Sequence, residues 1–395
     1  MPKRSVPLIE VSGDARQRGA AYGEAAHAEI RGSVEFYRDA FAASSGLAWP
    51  DVLVAARQWR APIEDSAPDL LVEMDAIAEG AGLHPDEILA LNARGEIVRN
   101  HDSGFGRGHA SEPVDGCSSY ALLPEATGDW HTYCGQNWDW RAGVEATTVL
   151  LRVVQPPKPT IIMQVEAGQI GRQGANSAGI ALNANGLGGR FDAGIGVPQP
   201  VLRRLILDSA SLSAALQVPF DVHQHIATNL LITHRDGVAI DLETTPVVHR
   251  WGYPADGILV HGNHYQFGVP ERLRETYRPS PVDSLYRVPI ITRGLGLASG
   301  ARDSAGVREV IAETMSDHTG LPDSVCAHVD PGRPAVRRNK TIMSSLVDLT
   351  TGEYRLAAGN PCENDYEVLP WRLYDGPGGD RTTTPATTTA RNEPS

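Results

Sequence analysis

The segment Asp115-Gly116-Cys117-Ser118-Ser119-Tyr120 places a cysteine where a glycine-rich loop gives way to a β-like run. A glycine before the cysteine leaves the backbone free to take up strained dihedrals, so the thiol can reach the preceding carbonyl carbon. An N-to-S acyl shift followed by hydrolysis would then cut the chain between Gly116 and Cys117. The freed α-amino group titrates at roughly 7.7 to 8.0 when unperturbed, near working pH, so Cys117 would carry both nucleophile and general base. A thiol suits this work because a thiolate fraction exists before any activation. Two further segments hold polar groups that could serve such a centre: Gln136-Asn137-Trp138-Asp139 and Gly262-Asn263-His264-Tyr265.

Rival chemistries have weaker support. A papain-like thiol enzyme needs a histidine beside the cysteine, and His261, His264 and His328 are candidates that nothing in the sequence separates. The pairs His223 with His225 and His261 with His264 lack a third ligand at a known metal spacing. Cys117, Cys134, Cys326 and Cys362 show no C-x-x-C pair, so neither a disulfide framework nor a thiolate zinc site is expected, and the last three read as small buried hydrophobes. The Gly104-x-Gly106-x-Gly108 and Gly186-Leu187-Gly188-Gly189 runs lack the strand-to-helix setting of a phosphate cradle.

The elements that must hold these residues change character along the chain. Tyr22, Ala26, Ile30, Val34, Tyr37 and Phe41 recur at helical spacing and predict one long amphipathic helix. A second helix is expected from about Asp51 until Pro62 stops it. A third follows Pro68 and ends at Gly80 or Gly82, and another begins with Pro85 at its first position. Residues 100–114 read as an exposed, mobile loop. Beyond Cys117, short β-like runs lie at 120–123, 149–154, 161–165, 179–182, 230–233, 238–242 and 258–261. Helices are expected over 201–216, 284–295 and 304–315, and a hairpin over 341–358 turns at Leu349-Thr350-Thr351-Gly352. Strands grouped with helices outside them predict an α+β fold with a sheet-on-sheet core. The tail from Asp375 to Ser395 has almost nothing apolar to bury and reads as disordered.

With 395 residues, 41% of them apolar, the chain can build a large core, and a formal charge of −13 argues against nucleic acid and anionic membranes as partners. No secretory signal and no run long enough to span a bilayer is evident, so a cytoplasmic location is expected.

Taken together, the helical opening, Asp115-Gly116-Cys117, Gln136-Asn137-Trp138-Asp139, the Asn176 to Leu187 stretch NSAGIALNANGL, Glu243-Thr244-Thr245-Pro246, Asn263-His264-Tyr265 and the hairpin region Thr341 to Pro361 resemble one family. It is that of the acyl-coenzyme A:6-aminopenicillanic acid acyltransferases, the C45 peptidase group of N-terminal nucleophile hydrolases, whose relatives include β-alanyl-amine hydrolases. The likeness extends over about residues 8 to 371. It implies a four-layer αββα sandwich and self-cleavage into an α chain, residues 1–116, and a catalytic β chain, 117–374, followed by the tail 375–395. The two chains would stay associated, with a homo-oligomer left open. It further implies Cys117 as nucleophile, Asp139 beside the new amino group, and the Asn263 amide as donor to the oxyanion. Relatives are expected to carry arginine after Cys326, where Ala327 stands here, with Arg190 or Arg337 as conceivable substitutes.

The expected reaction is hydrolysis of a linear amide in a small N-acylated compound through a thioester, with no metal and no cofactor. Acyl transfer is the alternative, with coenzyme A as acyl carrier or co-substrate. A catalytically silent binding protein is the reading from another class.

Overall fold

The structure is a computed structural model that describes residues 5–101, 116–191 and 193–376. The mobile loop expected before Cys117 and the disordered tail therefore fall almost wholly outside the described residues.

The first hundred residues form a short strand, β1 (Leu8–Ser12), and seven helices: α1 (Ala15–Ala25), α2 (His27–Ser45), α3 (Trp49–Ala56), α4 (Arg60–Ser66), α5 (Pro68–Ala81), α6 (Pro85–Asn92) and α7 (Arg94–His101). The long helix expected through Phe41 is broken at Ala26, which leaves helical geometry at φ −107° and ψ 23°. All six of its apolar positions are nonetheless buried. Close packing accounts for the break. A Cβ added at Gly19 would come within 2.3 Å of the Glu73 carbonyl oxygen, and one at Gly23 within 2.4 Å of that of Ile77. Thus α1 lies backbone against backbone on α5, while α2 turns away toward the 3-10 turn Ala142–Thr147.

Pro62 does not stop a helix. It occupies the first turn of α4, where its missing N–H has no intrahelical acceptor to lose, and the interruption falls instead at the 3-10 turn Arg57–Trp59. Gly82 closes α5 in the left-handed conformation at φ 62°, and Pro85 opens α6 as expected.

The remaining strands are β2 (Gly116–Leu122), β3 (Tyr133–Arg141), β4 (Thr148–Val154), β5 (Ile161–Glu166), β6 (Gly174–Asn176), β7 (Ile180–Gly186), β8 (Thr228–His234), β9 (Val238–Thr244), β10 (His249–Gly252), β11 (Ile258–His261), β12 (Asn339–Asp348), β13 (Glu353–Ala358) and β14 (Glu367–Arg372). Among the described residues they make an eight-stranded sheet, ordered β1-β4-β5-β6-β7-β8-β9-β10, and a six-stranded sheet, ordered β11-β2-β3-β12-β13-β14. All pairings are antiparallel except that of β1 with β4.

The two sheets face each other across a core that also takes in the N-terminal helices. Polar side chains stitch the seam: Gln136 on β3 donates to the Ala184 carbonyl on β7 and accepts its N–H, both at 2.9 Å. The outer layers are helical. α8 (Gln199–Leu207), with α9 (Leu212–Asp221) beside it, and the N-terminal helices cover the eight-stranded sheet; α10 (Ser284–Leu295) and α11 (Ser304–Met315) cover the other. Ile291, Leu295, Val307 and Ile311 meet Tyr120, Leu122 and Leu346 in a second apolar cluster. This is the four-layer αββα sandwich. The helix expected over 201–216 is two helices, because Asp208 caps α8 and Ser211 starts α9.

Both halves of the chain build this core. β1 runs parallel to β4 from Leu8 opposite Leu150 to Ser12 opposite Val154. Buried Glu73 on α5 binds Arg18 on α1 at 2.7 Å and Arg204 on α8 at 3.0 Å.

Candidate active site

Cys117 is the second residue of β2, an inner strand buried on both faces. Register sets Gly116 opposite Asp139 and Cys117 opposite Trp138. β11 pairs with β2 on its other side, His261 opposite Ser119, so the residues following β11 arrive beside the start of β2. One of them is Asn263. Its Oδ1 accepts the Cys117 backbone N–H at 3.0 Å. Its Nδ2 donates to the Gly186 carbonyl at the end of β7 at 3.2 Å, and its own N–H donates to Ser284 Oγ at 2.6 Å. In this uncut backbone the Asn263 oxygen, rather than its amide N–H, faces Cys117.

The reason for glycine at 116 differs from the expected one. Its φ is not left-handed; instead, a Cβ there would lie 3.1 Å from the Asp139 Cβ. Glycine admits the close approach of Asp139 to the peptide bond.

Two residues at the site had not been singled out from the sequence. Arg287 on α10 is buried and donates to the Cys117 carbonyl at 2.8 Å, to Ser118 Oγ at 2.6 Å and to Asn263 Oδ1 at 2.8 Å, while Asp283 one turn earlier holds its Nε at 2.7 Å. Asn185 on β7 donates to the same Cys117 carbonyl at 3.0 Å. The Asp283/Arg287 spacing of four on a helix was visible, but an ion pair of that kind is usually a solvated surface feature. Asn185 lay inside the quoted NSAGIALNANGL stretch without a role. Arg190 and Arg337, the suggested substitutes for an arginine at 327, are both exposed; the buried guanidinium at Cys117 is that of Arg287.

Burial pushes the Asp139 carboxyl up from 3.8 to about 7, although the Arg287 cation and a hydrogen bond from Thr341 Oγ1 at 2.6 Å oppose that rise. Near neutral pH the group is therefore divided between its two protonation states. Thr341 Oγ1 also accepts the Ala327 N–H at 2.9 Å, so the segment around Ala327 backs onto Asp139.

Each histidine weighed as a base has other partners. His261 is buried, with Nδ1 on the Gly262 carbonyl and Nε2 on Glu243 at 3.1 Å. His264 Nδ1 meets Ser284 Oγ at 2.7 Å, and burial lowers its pKa to about 4, so it is neutral at pH 7. Cys134 and Cys326 are buried as expected, but Cys362 is exposed. Cys326 and Cys362 face each other and the rings of His318 and His328, a grouping that linear spacing concealed.

A cavity of about 120 Å³ opens between α2, α7 and the sheet ends. Phe36, Phe41, Trp140 and Leu187 supply apolar wall, and Arg94, Arg99, Arg141, Arg172, Arg203 and Glu96 also line it, Arg94 and Arg172 being paired with buried Glu166 at 2.5 and 3.4 Å. Its lining includes Gly186, the acceptor for Asn263, and Arg172, whose guanidinium carbon stacks 3.8 Å from the ring centroid of Trp138, the strand partner of Cys117.

The fold, two facing sheets between helical layers, is that of a family of acyltransferases. The model of the acyl-coenzyme A:6-aminopenicillanic acid acyl-transferase family matches residues 126–363, and the chain belongs to that family. It is 27% identical over 359 residues to the 40 kDa form of acyl-coenzyme A:6-aminopenicillanic-acid-acyltransferase from Emericella nidulans, covering 90% of this chain and 94% of the fungal protein. Among solved structures it is similar to penicillin V acylase from Agrobacterium tumefaciens, at 13% identity and a TM-score of 0.41, over 61% of this chain and 83% of that one. It is also similar to a mutant form of conjugated bile acid hydrolase from Clostridium perfringens, at 11% identity and a TM-score of 0.36, over 65% and 97% of the two chains. Among the described residues no helix is long and apolar enough to cross a membrane.

Proposed function

We propose that this protein cuts its own backbone between Gly116 and Cys117 and then hydrolyses the amide bond of a small N-acylated compound through a thioester on Cys117. The observation that carries the reading is the polar cradle around the Cys117 main chain, formed by Asn263, Asn185 and Arg287. A buried structural thiol has no need of three side chains fixing its backbone N–H and carbonyl.

In the self-cleavage, Cys117 Sγ attacks the Gly116 carbonyl carbon, the C–N bond breaks, and the departing nitrogen takes a proton as the Cys117 α-amine. Water then releases Gly116 as a carboxylate. The amine stays close to Asn263 Oδ1, which orients it, and to Arg287, whose positive charge disfavours the ammonium form and favours the thiolate. In turnover the amine accepts the thiol proton, sulfur attacks the substrate carbonyl, and the proton passes to the leaving amine. Water resolves the thioester. The Asn263 amide is the donor assigned to the oxyanion, a role that requires its Nδ2 to exchange Gly186 for the substrate oxygen once the peptide at 116–117 is gone.

The apolar wall of the cavity supports a substrate whose acyl or amine portion packs against Phe36 and Trp140. Acyl transfer is the second reading, favoured by the similarity to the fungal acyltransferase along nearly its whole length. Hydrolysis and transfer share the thioester and differ in whether water or an amine reaches it.

Intact mass of purified protein tests the first step: chains 1–116 and 117–395 are expected, with Cys117→Ala left as one chain. Amine release from a panel of N-acyl compounds, with and without coenzyme A thioesters, tests the second. Turnover that survives in Cys117→Ala would overturn the mechanism.

A further inference from the structure

Away from Cys117, on the far side of Thr341, the fold gathers two cysteines and two histidines from two separate stretches of chain. His318 follows α11, Cys326 and His328 lie in the long connection to β12, and Cys362 lies just beyond β13. Cys326 Sγ is 3.5 Å from Cys362 Sγ and 3.6 Å from His328 Nε2. Cys362 Sγ is 3.4 Å from His328 Nε2, which is 3.2 Å from His318 Nε2. All four donor atoms lie within 4.8 Å of one another.

We propose that these four side chains form a structural zinc site. A tetrahedral ion with zinc–nitrogen and zinc–sulfur bonds of about 2.0 to 2.3 Å sets its ligands about 3.3 to 3.8 Å apart, and two Nε2 atoms and two sulfurs already sit at close to that spacing. Thiolate and imidazole together select zinc over the hard cations. Four protein ligands complete the coordination, leaving no open position for water, so the site is structural rather than catalytic. On binding, the two thiols give up their protons and the two imidazoles remain neutral, so the dication and two thiolates sum to zero charge.

The surroundings fit an ion as well. Asn360 Nδ2 donates to Cys326 Sγ at 3.3 Å, and the second ring nitrogen of His328 faces Glu363 at 4.0 Å, the kind of outer partner that orients a ligating imidazole. Without an ion, the four groups are left to weak thiol hydrogen bonds and a ring-to-ring contact whose donor depends on the tautomer. With one, the α11–β12 connection and the segment after β13 are tied together behind the active site. Asn360 and Thr341 both bind Ala327, and Thr341 binds Asp139, so the ion would hold the support of Asp139 in place.

The test uses tag-free, full-length protein, reduced without oxygen, loaded with zinc chloride and stripped of loose metal. The expected content is about one zinc per chain, retained in Cys117→Ala and lost in Cys362→Ser and in His318→Ala. The Cys117→Ala arm keeps this result independent of self-cleavage and turnover. Both ligand variants change exposed positions, so their folding can be verified by circular dichroism even if Cys326→Ser fails to fold. Cobalt in place of zinc should give the visible bands of a tetrahedral ion and thiolate charge transfer in the near ultraviolet, saturating at one equivalent. Chelation should lower the thermal midpoint of the parent protein and leave that of Cys362→Ser unmoved. A reduced chain that takes up no stoichiometric zinc, zinc content unaffected by both ligand variants, or an octahedral cobalt spectrum would each overturn the proposal.

Discussion

Replacing Asp139 with asparagine should make the protein more stable, and increasingly so as the pH rises. Burial raises the carboxyl from 3.8 to about 7. Between those values the folded chain keeps a proton that the unfolded chain has lost. The resulting stabilisation is fully present below the unfolded value and is lost as pH climbs through the folded one. Over a shift of about three units, at 1.36 kcal/mol each, the change amounts to about 4 kcal/mol. Asparagine has the same shape, still accepts from Thr341 and does not titrate. In a Cys117→Ala background, which keeps the chain in one piece, Asp139→Asn should match its parent near pH 4 and exceed it by up to about 4 kcal/mol at pH 8. For a chain of this size that corresponds to roughly 5 °C in the thermal midpoint. Paired melting curves from pH 4 to 8.5 at one scan rate measure the difference directly. A gap that stays constant with pH, or that narrows as pH rises, would show that burial does not hold the proton on Asp139.

Gly116→Ala should slow appearance of the two chains about tenfold or more, because its Cβ would stand 3.1 Å from that of Asp139 and push the peptide out of position; a time course of intact mass reads this. Arg287→Gln should move the acidic limb of the kcat/KM profile up by about one pH unit, since the cation that disfavours the Cys117 ammonium is gone. Arg287→Lys should keep that limb in place while lowering kcat, because one ammonium cannot reach the Cys117 carbonyl, Ser118 and Asn263 together. Glu73→Gln should cost about 3 kcal/mol in denaturant titrations, because it takes the carboxylate from buried Arg18 and leaves buried Arg204 with Asp208 alone.

Sequence alone was most informative where local pattern and tertiary packing agree. The apolar spacing of residues 284–295 and 304–315 coincides with α10 and α11, and the hairpin over 341–358 forms as expected. It misled where packing overrode local preference, as in the break at Ala26 demanded by backbone contact between α1 and α5. β3 went unnoticed as a strand because Tyr133–Arg141 carries polar residues on both sides: Gln136 meets Ala184 across the sheet seam, and Asn137 on the opposite side donates to the Met315 and Val325 carbonyls. The fold sets Asp139 opposite Gly116 and Asn263 against the Cys117 backbone, but Arg287 required knowing which face of α10 is turned inward. The His318, Cys326, His328 and Cys362 cluster was out of reach for a similar reason: β12 and β13 separate Cys362 from the other three, and spacing rules recognise only ligands that are close in sequence.

The parallel pairing of β1 with β4, together with the Glu73 bridge to Arg18 and Arg204, bears on what the proposed self-cleavage would do to the folding equilibrium. Before the cut, both partners belong to one molecule and find each other at any dilution. Afterwards they are two species whose reunion is second order, so the melting point of the processed protein should depend on its concentration. Maturation at Gly116–Cys117 would thus turn a reversible fold into one that is easily lost on dilution, its native form guarded by the slowness of coming apart.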